Sequence, residues 1–287
     1  MFDYPLYRPP SEANSLILQI TTGCSYNKCT FCHVYKGKNF TVKSEEEIEK
    51  HILMGKKYAP NPEKIFLADG NVMCLSTTRM LSLLDQIRTH FPNVKQISSY
   101  AGPLDLLRKS DEELFKIRRA GLELLYVGVE SGSDTVLKLV NKGVTRAEMI
   151  SAGKKAKKTG FTLSCMIISG LGGKKLLKEH AIDSATTISE MGPDFFALLT
   201  LIILDETPMK KQLDSGEFEL LSPHEVMLEL KLMLENTELE SCVFRANHAS
   251  NYVPLKGILN RDKKILLEQV NASLQSSNYK PEAWRGL

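Results

Sequence analysis

Long apolar runs are missing from this chain. None of its 287 residues falls in a stretch approaching the roughly eighteen consecutive apolar positions that a membrane span needs. The longest run, near 195–204, is interrupted by Thr200. A large charge excess is missing too: a net charge of +3 is too small to argue for nucleic acid or an anionic membrane as partner. The basic run Lys154, Lys155, Lys157, Lys158 reads as a solvated helix face. The stretch "MFDYPLYRPPSEANS" has no apolar core of the signal-peptide kind. A cytoplasmic location is therefore expected, with cysteines as thiols or metal ligands rather than disulfides. No low-complexity segment or linker divides the chain. Cysteine is scarce, and of the six, Cys74, Cys165 and Cys242 stand alone without ligand-type spacing, as small buried hydrophobes do.

What is present is an ordinary globular composition, 43% hydrophobic and 25% charged, with a rhythm. Short β-rich runs at Leu16–Thr21, Lys64–Ala68, Gln96–Ser99, Leu122–Val129, Thr162–Ile168 and Phe195–Leu204 start roughly 26 to 48 residues apart, the scale of strand–crossover–strand units. Between them, "SEEE" at 44–47, "SDEE" at 110–113 and "TRAE" at 145–148 fit the capping box that opens a helix. Gly121 and Gly160 stand where two of these helices should end. Strand alternating with helix predicts an α/β fold with a parallel sheet, and six units suit a partial (β/α)6-type TIM barrel over residues 12–210. Beyond it, a helix near 222–236, a short "CVF" strand and a helix near 261–274 predict an α-rich C-terminal extension over 211–287, packed on the barrel.

The other three cysteines crowd into "TTGCSYNKCTFCHVY". Cys24, Cys29 and Cys32 follow the first strand directly, at the end of a parallel sheet where active sites gather. Three thiols are one too many for a disulfide and one too few for a closed tetrahedral site. A strand-one loop with three close cysteines and an aromatic, Phe31, before the last resembles the radical S-adenosylmethionine (SAM) superfamily. Its members bind a 4Fe-4S cluster through three cysteines and leave one iron for SAM. The spacing departs from the usual one: four residues, "SYNK", separate Cys24 from Cys29 where the family has three. Alternatives from the residues alone are a zinc site completed by His33 or a distant ligand, and three unrelated thiols.

The resemblance implies roles at the other strand ends. Asp69-Gly70-Asn71 is similar to the family's motif at the SAM amino group, and is otherwise an Asp-Gly turn. Glu130-Ser131 resembles the acidic position near the ribose or amino group of SAM in the coproporphyrinogen oxidase and methylthiotransferase branches, and Glu130 is otherwise a helix cap. Gly170 resembles the glycine beside adenine. Ile203 and Leu204 resemble the strand that lends backbone groups to it, and their side chains are otherwise buried core. Lys142 or Arg146 would pair with the SAM carboxylate. After the barrel, "FRANHASNY" mixes donors and acceptors; it either lines the cavity, with His248 a proton donor, or is a solvated loop.

The function this resemblance implies is a radical SAM enzyme. It would reduce SAM to a 5′-deoxyadenosyl radical that abstracts hydrogen from a small-molecule substrate, with an electron donor such as flavodoxin or ferredoxin, in an anaerobic cell. The alternatives are a cluster-containing haem carrier on the same scaffold and a zinc-stabilised α/β protein.

Overall fold

Helices begin where the capping pattern puts them. In the computed structural model, which describes residues 2–286, Ser44 and Ser110 each accept the N–H of the glutamate three residues on, and Glu47 and Glu113 accept the cap residue's own N–H in return. Thr145 and Glu148 make the same exchange. Each exchange satisfies two backbone donors that a helix start otherwise leaves unpaired.

In chain order the elements are β1 (Leu16–Gln19), β2 (Thr21–Thr22), β3 (Thr41–Val42), α1 (Glu45–Tyr58), β4 (Lys64–Ala68), α2 (Thr77–His90), β5 (Gln96–Tyr100), α3 (Pro103–Arg108), α4 (Asp111–Ala120) and β6 (Leu122–Glu130). There follow α5 (Asp134–Leu139), α6 (Arg146–Lys158), β7 (Thr162–Ser169), α7 (Gly173–Met191), β8 (Phe195–Thr200), α8 (Pro208–Asp214), α9 (Pro223–Asn236), β9 (Val243–Ala246), β10 (Leu255–Ile258) and α10 (Lys263–Ser276). They fall into two units. One comprises Met1–Asn27, Val34–Val127 and Lys155–Leu163; the other comprises Lys28–His33, Gly128–Lys154 and Ser164–Leu287.

In the first unit β1, β4, β5 and β6 pair in that order, all parallel. β4 has all but its first residue buried, as a strand covered on both faces must. Phe66 is fully buried, with Tyr100 and Tyr126 edge-on to it at 5.2 and 6.1 Å. Glu12, also fully buried, accepts from the Tyr126 hydroxyl (2.7 Å) and Gln96 Nε2 (3.2 Å), and its other oxygen accepts from Ser15. Gln96 opens β5 and Ser15 precedes β1, so this network lies at the N-terminal edge of the strands, away from the cysteine loop.

In the second unit β7 and β8, then β8 and β9, pair in parallel, and β10 is antiparallel to β9. Helix α9 packs against both α7 and α10. Phe196 and Phe244 meet across neighbouring strands at 5.4 Å. A second apolar cluster joins Val136, Val140, Leu171, Leu201 and Met209.

Two strands end earlier than their apolar runs. β1 pairs only to Gln19, and Thr21–Thr22 turn away to form a short ribbon with Thr41–Val42. β8 stops at Thr200 although the apolar run continues to Leu204, because its neighbour β7 ends at Ser169 and turns off at Gly170, where φ is +84°. Pairing needs a partner, and beyond Leu201 there is none from β7.

Candidate functional site

In the first unit the site begins at the C-terminal ends of β1 and β4. Asp69 follows β4 and is fully buried. Its Oδ2 accepts the N–H of Gly23 (3.1 Å), Lys38 Nζ (3.2 Å) and Gln19 Nε2 (3.3 Å), while Oδ1 has no partner. Burial pushes this carboxyl above its ordinary range, against the opposing pull of the Gly23 N–H and the Lys38 ammonium. The Gly70 N–H donates to the Gly23 carbonyl at 3.1 Å. A side chain at Gly70 would put its Cβ 2.7 Å from the Tyr35 ring and 3.1 Å from Cys24 Cβ, so only glycine lets the two loops approach this closely. Asn71 accepts the Gly102 N–H (3.0 Å) and donates to Ser25 Oγ (2.8 Å) and Asp105 Oδ2 (2.6 Å). All three residues of the Asp-Gly-Asn turn thus hold the start of the cysteine loop.

Between Cys24 and Cys29 the backbone takes a left-handed step at Asn27. Its φ is +45°, a left-handed conformation that asparagine tolerates better than most residues. Its Nδ2 donates to the Tyr35 carbonyl at 2.8 Å, and Lys36 Nζ donates to its own carbonyl at 3.1 Å. Cys24, Cys29 and Cys32 are partly exposed thiols.

In the second unit the 28–33 stretch is tied down by backbone. The Thr30 N–H donates to Val140 O (2.9 Å), the Met209 N–H donates to Thr30 O (3.1 Å), and Asn141 Nδ2 donates to Lys28 O (3.2 Å). Phe31 and Ile203 pack on the same Val136–Met209 cluster. Glu130 ends β6 with φ +66° and is 6% exposed. Its Oε1 accepts from Lys142 Nζ at 3.1 Å and its Oε2 has no partner. A non-glycine residue held in this region stores strain that surrounding structure must overcome.

Ser131 is fully buried, and its hydroxyl meets His180 Nδ1 at 2.8 Å; His180 Nε2 lies 3.1 Å from the Ile168 carbonyl. The carbonyl can only accept, so Nε2 carries the proton and Nδ1 accepts from Ser131. Burial holds His180 down at about 4, which keeps it neutral and makes the pair a brace for the Glu130 turn. Arg146 is directed elsewhere, to Asp183 at 3.0 Å; the cation that shares space with Glu130 is Lys142.

Gly170 and Ile203 line one cavity of about 310 Å³, together with Thr200, Tyr252 and Arg285. The Leu204 carbonyl accepts the Thr207 N–H at 3.0 Å and its hydroxyl at 2.7 Å, and Leu204 does not line that cavity. Of the polar stretch 245–252, Arg245 and Asn247 are exposed, while Ser250, Asn251 and Tyr252 are buried. His248 Nδ1 accepts from the Ser250 N–H (3.2 Å) and meets its hydroxyl (2.9 Å); burial and nearby Lys280 lower its basicity. His248 braces this turn, and Tyr252 is the residue of the stretch that reaches the cavity.

Sequence reasoning missed Lys38 beside Asp69 in the first unit and His180 behind Ser131 in the second. Neither stands in a motif; the signal available was their charge or polarity inside loop or apolar segments.

The family model described as the radical SAM superfamily matches residues 18–184. The chain belongs to that superfamily. Among curated relatives this radical SAM chain is 25% identical over 166 residues to the heme chaperone HemW of Bacillus subtilis, covering 56% of this chain and 42% of that protein. It is 24% identical over 209 residues to HemW of Mycobacterium tuberculosis, covering 71% and 51%. It thus spans about half the length of these relatives. Among solved structures, methylornithine synthase (PylB) aligns with TM-score 0.54 and 18% identity, covering 92% of this chain and 82% of that one. Coproporphyrinogen III oxidase (HemN) from Escherichia coli aligns with TM-score 0.57 and 20% identity, covering 77% and 52%. At these identities the likeness is one of fold, and it agrees with the expected α/β partial barrel.

The superfamily implies a 4Fe-4S cluster and SAM. The donor set fits: three partly exposed thiols on one loop are the ligand type such clusters take. Among the described residues, no three His, Cys, Asp or Glu side chains form a group ready to hold a single ion. A cluster makes no such demand, since each cysteine binds its own iron.

Proposed function

We propose that this chain is a radical SAM enzyme acting on a small-molecule substrate. The observation that carries the proposal is the three-cysteine loop inside a chain of this superfamily. Cys24, Cys29 and Cys32 would hold the cluster, which when bound supplies the electron for reductive cleavage of SAM. The unpartnered Oε2 of Glu130 is an acceptor suited to the amino group or ribose of SAM. Lys142, beside it, balances the buried carboxylate and offers a cation to the SAM carboxylate. Gly170 and Ile203 would hold the adenosine half, with Phe31 packed on the same apolar wall as Ile203. Asp69, Gly70 and Asn71 act at one remove by fixing the Cys24 end of the loop. Electrons would come from a flavodoxin- or ferredoxin-like donor.

Anaerobic reconstitution followed by reduction in the presence of SAM tests this reading. About four irons and four sulfides per chain, with methionine and 5′-deoxyadenosine formed, are expected. Stoichiometric zinc, or a cluster without SAM cleavage, would count against it.

A second reading has its own support, the likeness to heme chaperones over roughly half their length. On it the chain carries haem, and haem titration gives a saturable stoichiometric absorbance change whether or not SAM is cleaved.

A further inference from the structure

One buried carboxylate in the second unit has no place in the reading so far. Glu229 lies on the inner face of α9, fully buried, flanked on its own helix by the buried side chains of Val226, Met227, Leu230 and Met233. Its Oε2 accepts the Ser169 hydroxyl (2.5 Å) and the Gly170 N–H (2.7 Å), and its Oε1 has no partner. Burying a carboxylate is unfavourable unless it is well paired, and here both donors come from one two-residue turn.

That turn is Gly170. Its N–H points into the protein at Glu229, and its carbonyl accepts the Gly173 N–H at 3.0 Å. With its N–H and carbonyl both hydrogen-bonded within the protein, the group that Gly170 has left to offer the cavity it lines is its Cα. A Cβ on Gly170 would stand 3.8 Å from Leu201 Cβ and 3.9 Å from Leu221 Cγ, so the wall around the turn is apolar. An apolar backbone edge suits the face of an aromatic ring, and its orientation depends on which way the Gly170 peptide is held.

We infer that Glu229 is the positioning residue of the adenosine subsite, fixing the Ser169–Gly170 turn so that the Gly170 Cα faces the purine ring. This rests on the reading that Gly170 and Ile203 hold the adenosine half of SAM. Burial pushes the Glu229 carboxyl up to about 7; in either protonation state Oε2 still accepts from the turn.

The test uses the cluster-free chain and 5′-deoxyadenosine as probe, with affinity measured by calorimetry and exchange of the Gly170 amide by NMR. Glu229→Met fills similar space but leaves the Ser169 hydroxyl and the Gly170 N–H without an acceptor. The expected result is a folded chain, somewhat less resistant to urea than the wild type, whose affinity falls about tenfold, the effect of losing one well-placed hydrogen bond to a charged group, and whose Gly170 amide exchanges faster. Glu229→Gln keeps an acceptor oxygen and restores affinity to within about threefold. Should Glu229→Met fail to fold, Glu229→Leu, which also lacks an acceptor for the Gly170 N–H, reads the same loss. Wild-type affinity in a folded Glu229→Met chain, with Gly170 still protected, overturns the proposal alone. No binding of 5′-deoxyadenosine by the wild type overturns the adenosine reading of Gly170, and this inference with it.

Discussion

Glu130 and Lys142 are a buried pair in which each member needs the other. The carboxylate is 8% and the ammonium 14% exposed in their side chains, so truncating the lysine leaves a charge with neither water nor partner. Lys142→Ala is therefore expected to destabilise the chain by about 3 kcal/mol, read from urea unfolding, and to weaken SAM binding. Glu130→Gln keeps the shape and an acceptor oxygen for Lys142 but removes the charge, so it should also lower stability, by less than Lys142→Ala. Its 5′-deoxyadenosine formation should fall at least about tenfold with iron content unchanged. Unchanged turnover in Glu130→Gln would remove Glu130 from the SAM site.

At the level of single elements, α9 carries a pH signature. The Glu229 carboxyl moves from an ordinary 4.5 to about 7 in the folded chain because burial disfavours its charged form. Between those values the folded chain keeps a proton that the unfolded chain has released. Stability contributed by this group is thus present at low pH and is lost as pH rises through about 7, a swing of roughly 3 kcal/mol. Glu229→Gln abolishes the titration, so its stability advantage over wild type should widen between about pH 5 and pH 8; a gap that stays constant contradicts the assignment. Gly170 gives a second check on an element boundary. An added Cβ has space, but its φ of +84° is disfavoured for any side chain, and Gly170→Ala should cost about 1 kcal/mol. The helix starts at Ser44, Ser110 and Thr145 were legible in the sequence because a capping box is a local hydrogen-bond exchange. The end of β8 was not legible, because it depends on where β7 stops, some thirty residues earlier in the chain. The His180 brace and the Glu229 contact were hidden for the same reason: each is a contact between elements far apart in sequence, and neither side chain belongs to a local pattern.

For the molecule as a whole, the apolar cores are made of the protein's own side chains. Phe66, Phe91, Phe161, Phe196 and Phe244 are all at most 2% exposed, and the tethers of Gly23, Thr30 and Met209 are hydrogen bonds within the chain. Stripping iron from the reconstituted protein with a chelator is therefore expected to leave far-UV circular dichroism and cooperative unfolding intact, while amide protection falls within residues 21–35 alone. Global unfolding on iron removal would mean that the cluster is part of the core.

Asn27 bears on how such chains are found. A pattern that counts residues between cysteines treats the four in "SYNK" as a mismatch, yet the backbone here takes a left-handed step at Asn27, braced by the Tyr35 carbonyl. The loop is moored within this chain at both ends: Gly23 on Asp69 at one, Thr30 on Val140 and Met209 at the other. A search that tolerates any length between those moorings, and asks for a residue at ease with positive φ wherever the length grows, would recover relatives that a rigid spacing rule discards.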